Sequence, residues 1–249
     1  MKTDIKTSSS SLARRTMLTG LALLAGAVGW RALPGRAGEA AALVPPLIDT
    51  TELPPAAGTS TSDTAVLAGG CFWGVQGVFQ HVLGVTRAVS GYAGGDASTA
   101  NYDAVGSGST GHAEAVRISF DPRLVSFAQL LQIYFSVAHD PTQLNRQGPD
   151  SGTQYRSAVF AQNAEQGRVA RAYIAQLNQT NVFGTRIVTT VELNKSFFDA
   201  EAYHQDYLML NPEEPYIVIY DLPKVGNLKS WFPKHYRAKP VLVGSQAMP

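Results

Sequence analysis

The run Ala65-Val66-Leu67-Ala68-Gly69-Gly70-Cys71-Phe72-Trp73-Gly74 constrains the fold more than any other stretch of this chain. Four apolar residues lead into paired glycines, and Val75, Val78, Phe79, Val82 and Leu83 follow as an amphipathic run. That order predicts a strand, a tight turn and a helix whose first turn holds Cys71. A thiol there meets the positive end of the helix dipole and unpaired backbone N–H groups, both of which favour thiolate. Phe72 and Trp73 beside it can wall off something small and apolar. The same residue also fits a buried structural role, since free cysteine is among the most buried residue types.

Cys71 is the single cysteine in 249 residues. No internal disulfide, Cys-x-x-Cys redox pair or cysteine-rich zinc site can therefore form. The five histidines show no ligand spacing, so no metal is expected. With 45% hydrophobic and 16% charged residues the balance is that of a globular domain. The net charge of +1 hides an asymmetry: residues 1–42 hold Lys2, Lys6, Arg14, Arg15, Arg31 and Arg36 against Asp4 and Glu39. Taking these from 20 basic and 19 acidic residues leaves 14 and 17, a net −3 without a basic stripe for nucleic acid.

Residues 1–42 read as an export signal. Arg14-Arg15 precede an uncharged stretch, 16–30, rich in Leu, Ala and Gly, which is short for a membrane span and right for the core of a signal peptide. Ser10-Ser11-Leu12-Ala13-Arg14-Arg15-Thr16-Met17-Leu18 resembles a twin-arginine signal, imperfect just before the arginine pair. Ala37 and Ala40-Ala41-Ala42 offer cleavage sites and a periplasmic destination; an uncleaved anchor is the alternative. Residues 43–63, with four prolines and a Gly-Thr-Ser-Thr-Ser run, read as a flexible linker, leaving 64–249 as one catalytic domain.

Downstream, strands are expected at 85–92, 113–120, 155–161 and 186–193. Helices are expected after the cap-like Ser126, over 163–177, and over 201–210. The order β-α-β-β-α-β, then α-β, is that of an α+β two-layer sandwich with a ferredoxin-like split βαβ core and a mixed sheet. From Asn211 onward the recurrent prolines predict an irregular C-terminal extension.

The remaining chemistry-bearing residues cluster between these elements. Gly91-Tyr92-Ala93-Gly94-Gly95 leads to Tyr102, Gly111-His112-Ala113-Glu114 enters a strand, and His139-Asp140 opens a polar loop through Asp150 to Tyr155. Each residue taken singly has a structural reading: tyrosines as core edges, Glu114 as a solvated strand charge, aspartates in turns, histidines as satisfied core groups.

Together, Gly-Cys-Phe-Trp-Gly (70–74), Gly-His-Ala-Glu (111–114), the block 139–157 and Ala-Glu-Ala-Tyr-His-Gln-Asp-Tyr (200–207) resemble the A-type peptide methionine sulfoxide reductases, in order, from about 65 to 236. The resemblance implies reduction of the S epimer of methionine sulfoxide, free or in proteins, with Cys71 as nucleophile. It makes Glu114 the acid that protonates the sulfoxide oxygen, and Tyr102 and Tyr155 donors to that oxygen. It makes Phe72 and Trp73 the wall for the substrate methyl, Asp150 a binding and orienting residue, and His204 structural support. No bound cofactor is implied. Many family members carry resolving cysteines, and residues 72–249 contain none. A sulfenic acid at Cys71 then needs an external thiol, thioredoxin-like or another dithiol. Two other classes remain open on sequence: a cysteine hydrolase using His112 or His204 as base, and a non-catalytic reader of oxidised methionine.

Overall fold

In the computed structural model, residues 41–47 and 61–244 are described; nearly all of the expected export signal and residues 48–60 lie outside them. The elements run β1 (Asp63–Gly69), α1 (Phe72–Gln80), β2 (Val85–Ala93), α2 (Tyr102–Gly106), β3 (Ala113–Phe120) and α3 (Phe127–Ile133). Two-residue strands β4 (Arg146–Gln147) and β5 (Asp150–Ser151) follow, then β6 (Ser157–Ala161) and α4 (Ala164–Thr180). The chain ends in β7 (Thr190–Leu193), β8 (Phe197–Asp199), α5 (Tyr207–Leu210) and α6 (Leu222–Trp231).

The larger sheet is mixed, in the order β7-β6-β1-β3-β2-β8, antiparallel throughout except for β6–β7. Period-two alternation divides its faces. Val116, Ile118 and Phe120 of β3 join Leu67, Phe72, Val75, Phe79, Leu130, Leu131 and Tyr173 in the main core under α1, α3 and α4. Ala113 and Ala115 face the other way, with Val66, Ala68, Ala158 and Phe160. Ser126 caps α3 in a reciprocal capping box with Gln129, and Asn163 caps α4.

Several boundaries differ from the sequence reading. The strand expected from 155 starts at Ser157, because Thr153–Tyr155 winds into a 3-10 turn. The strand expected from 186 starts at Thr190. The helix expected over 201–210 splits into a turn, Ala202–His204, and α5. Asp206 breaks it with a left-handed backbone (φ 59°), which an α-helix cannot continue through. Its carboxylate accepts from Gln80 Nε2 and from the N–H groups of Val243 and Gly244, pinning the C-terminal residues to α1.

Two expectations are corrected. The C-terminal extension is not irregular: a π turn, Ile217–Asp221, runs directly into α6. Pro223 near the start of α6 reads as a breaker by sequence, yet the first turn of a helix does not need its N–H. The start of the expected linker is docked rather than free. Val44 and Leu47 are buried, Val44 N–H donates to Ser136 Oγ, and Gln132, Tyr173 and Gln176 donate to the carbonyls of Val44, Pro45 and Pro46. Prolines 45 and 46 have no N–H of their own, so a segment without regular structure is satisfied here by side chains. Leu47→Ala should accordingly destabilise the protein by about 2–3 kcal/mol in denaturant unfolding, whereas the same change in a free tether would leave the midpoint where it was.

Candidate active site

Gly70 makes the turn between β1 and α1 at φ +86°, and a Cβ there would lie 2.5 Å from Gln147 Cβ. Only glycine fits both the backbone and the space. Cys71 then becomes the N-cap residue of α1. Phe72 turns into the core, and Trp73 stacks on Tyr207 with ring centroids 3.8 Å apart and planes 9° from parallel. The Trp73 indole donates to His204 Nδ1 at 3.2 Å, and Tyr216 meets its edge. The aromatic wall is thus locked from three sides.

Glu114, near the start of β3, is 4% exposed, and its Oε2 accepts from the Phe72 N–H at 3.0 Å. Burial, with Asp150 and Asp221 adding like charge, pushes its carboxyl up to about 8 against the downward pull of that N–H. It is therefore largely protonated at neutral pH. In the acid form the bonded Oε2 serves as the carbonyl oxygen, leaving the proton on Oε1.

The pull toward thiolate expected from the helix start is outweighed here. Burial, then Glu114 and Asp221, push the Cys71 thiol well above its ordinary value, outweighing the Trp73 N–H and the Lys224 ammonium. Desolvation penalises the charged form more than one helix turn rewards it. The resting site holds a thiol.

Tyr102 opens α2, capped by Asn101. Glu201 fixes it, accepting from the Tyr102 N–H with one oxygen and from the Tyr92 hydroxyl with the other. The Tyr102 ring lies 4.4 Å from His204. Tyr155 ends the turn before β6. Burial raises both phenols, and the charges of Glu114, Cys71 and Asp150 act on each of them, so the five groups share one site. Both stay protonated and able to donate. Asp150, on β5, accepts from the Tyr216 hydroxyl.

All seven residues expected at the site are thereby brought into one cluster. Sequence reasoning missed Glu201, Tyr216, Asp221 and Lys224. The last three lie in the stretch taken as irregular, where the Asp221/Lys224 spacing of three would have signalled a pair only on a helix.

The three histidines nearest the site are committed elsewhere, and because His204 accepts at Nδ1 its Nε2 carries the ring proton in the neutral form. His112 lies between the Gly95 N–H and the Asp96 carbonyl, and His139 between the Tyr134 carbonyl and Ser157 Oγ. His204 Nδ1 is taken by the Trp73 indole. Among the described residues, no group of three or more His, Cys, Asp or Glu could hold a metal ion.

A buried thiol beside a protonated carboxyl, two phenols and an aromatic wall defines a thiol enzyme that supplies a proton as it attacks, not a cysteine hydrolase. The chain belongs to the peptide methionine sulfoxide reductase family, whose pattern it matches over residues 63–235. It is 63% identical over 182 residues to peptide methionine sulfoxide reductase MsrA 2 of Mesorhizobium japonicum, covering 73% of this chain and 93% of the relative. Against the MsrA 2 of Synechocystis the identity is 48%, covering 72% and 83%. Among solved structures, reduced Mxr1 of Saccharomyces cerevisiae matches with TM-score 0.59 and 33% identity, over 66% of this chain and 93% of that one. Methionine sulfoxide reductase A of Corynebacterium diphtheriae matches with TM-score 0.53 and 34% identity, over 62% and 77%.

Gly74 tests how tightly the site is built. A Cβ there would collide with Asp221 Oδ1 and stand 3.1 Å from Lys224 Nζ. Alanine is the better helix former by about 1 kcal/mol. Gly74→Ala should nevertheless destabilise by about 1–3 kcal/mol through overpacking; thermal unfolding at or above the wild-type midpoint would show that the space is free.

Proposed function

We propose that this protein reduces the S epimer of methionine sulfoxide, free or in oxidised proteins, to methionine, and so repairs oxidative damage. The observation that carries this reading is Glu114, buried, largely protonated and joined to the Phe72 N–H next to the sole thiol. A sulfoxide sulfur becomes electrophilic only as its oxygen gains a proton or hydrogen bonds. Glu114 gives its proton to that oxygen while Tyr102 and Tyr155 donate to it, and Phe72 and Trp73 hold the methyl group. Fixing oxygen, methyl and side chain at three separate places selects one epimer. Cys71 attacks, its proton passes to the Glu114 carboxylate, and the oxygen moves to Cys71 sulfur. Methionine sulfur is reduced by two electrons and Cys71 is oxidised by two, to sulfenic acid.

Because Cys71 has no partner in the chain, the sulfenic acid waits for an outside reductant. Two thiol equivalents, from a thioredoxin-like protein or a small dithiol, restore Cys71 with release of water and a disulfide. With excess racemic sulfoxide and no thiol, one equivalent of methionine should form per enzyme, leaving a single dimedone adduct on Cys71. Sustained turnover without thiol would sink the mechanism, as would substantial turnover by Cys71→Ser. Glu114→Gln should slow the single turnover roughly 10²–10⁴-fold. The working form of Glu114 is the acid, so the wild-type single-turnover rate should be full below about 8 and fall as pH rises through it.

The finer fold and location belong to the same reading. The order β6-β1-β3-β2, antiparallel throughout, supports a ferredoxin-like split βαβ core, with β7 and β8 added at the edges. Arg14-Arg15 ahead of an uncharged stretch support export to a bacterial periplasm through a twin-arginine signal. Replacing both with lysine keeps the charge and loses the pair, so Arg14→Lys with Arg15→Lys should retain the precursor in the cytoplasmic fraction. Unchanged export would point to an ordinary secretory signal.

A further inference from the structure

One buried charge beside Cys71 has no part in the reaction as just described. Lys224 Nζ stands 3.3 Å from Asp221 Oδ1, with side-chain exposures of 6% and 0%. Lysine is almost never buried to that degree without a partner and a reason. The pair lies against the first turn of α1, where Gly74 has no side chain and so leaves room for both heads. The Lys224 ammonium acts on Cys71 from α6, and on Asp150 of β5 and His139 beyond α3. Facing the same sulfur are Glu114 of β3 and Asp221 itself, while Tyr102, Tyr155 and Tyr216 are neutral phenols.

The imbalance is plain. With Glu114 protonated, Asp221 still places negative charge beside a sulfur that must become negative to attack. We infer that Lys224 is a positioning residue for the reaction: Asp221 fixes its ammonium beneath the first turn of α1, where it is the countercharge for the Cys71 thiolate formed during attack. The inference rests on the reductase reading of the site. Asp221 itself opposes the thiolate more strongly than Lys224 favours it, and an asparagine in its place could still accept from the ammonium. Removing one partner or the other should move the thiol in opposite directions, which a merely structural ion pair would not do.

Iodoacetamide alkylation of Cys71 in the full chain, followed against pH, reads the thiol without any sulfoxide. Lys224→Met should move the alkylation midpoint upward and slow alkylation below the midpoint about tenfold, the effect of roughly one pKa unit. Asp221→Asn should move the midpoint downward. If Lys224→Met does not fold, Lys224→Gln, which can still hydrogen-bond Asp221, carries the same expectation. An unchanged midpoint in the Lys224 variant, or shifts of the same sign in both variants, would overturn the assignment. If the reductase reading holds as well, kcat of the Lys224 variant falls with KM little changed. Opposite alkylation shifts without any sulfoxide reduction would leave Lys224 in its role and remove the reductase reading alone.

Discussion

The site depends on one buried hydrogen bond, from the Phe72 N–H at the start of α1 to the carboxyl of Glu114 on β3. It joins the helix carrying the nucleophile to the strand carrying the acid, and it does so away from water. An unpaired carboxyl this deep would be costly, and an unpaired helix N–H only somewhat less so. Each satisfies the other. The same burial keeps the proton on Glu114, so a packing requirement becomes a chemical property.

The rest of the fold can be read as what holds that contact in place. β1 and β3 run side by side, which brings the turn at Gly70 close to the start of β3. α1 lies over the main core through Phe72, Val75, Val78 and Phe79. From below, α6 and its π turn bring Asp221 and Lys224 against Gly74, while Tyr216 reaches both Trp73 and Asp150. On the far side Asp206 gathers Gln80 and the C-terminal residues. α1 is thereby gripped at both ends, and Cys71 has little freedom to leave its place.

The resting thiol also fits a protein with one cysteine. A thiolate exposed at a helix N-terminus would be open to adventitious oxidants, and no second thiol stands by to rescue it. Burial keeps the sulfur protonated and out of reach of such oxidants.

Much of this was legible in the residue order. Paired glycines, a lone cysteine and two aromatics after an apolar run determined the strand–turn–helix at β1–α1, because backbone freedom and hydrophobic period act locally. Alternation along 113–120 determined β3 and which of its residues face the core, and Ser126 and Asn163 determined where α3 and α4 begin. The resemblance in four separate blocks picked out Cys71, Glu114, Tyr102, Tyr155, Phe72, Trp73 and Asp150. What tertiary structure alone decided was charge and support. Whether Cys71 rests as thiol or thiolate is the balance of desolvation against a helix end and distant charges, and that balance exists only once β3 and α6 have closed around it. Helix α6 itself was hidden by Pro223, and Val44 and Leu47 by Pro45 and Pro46. Local propensity marks a break, but only packing against α1, α3 and α4 determines whether the chain beyond the break is free or held.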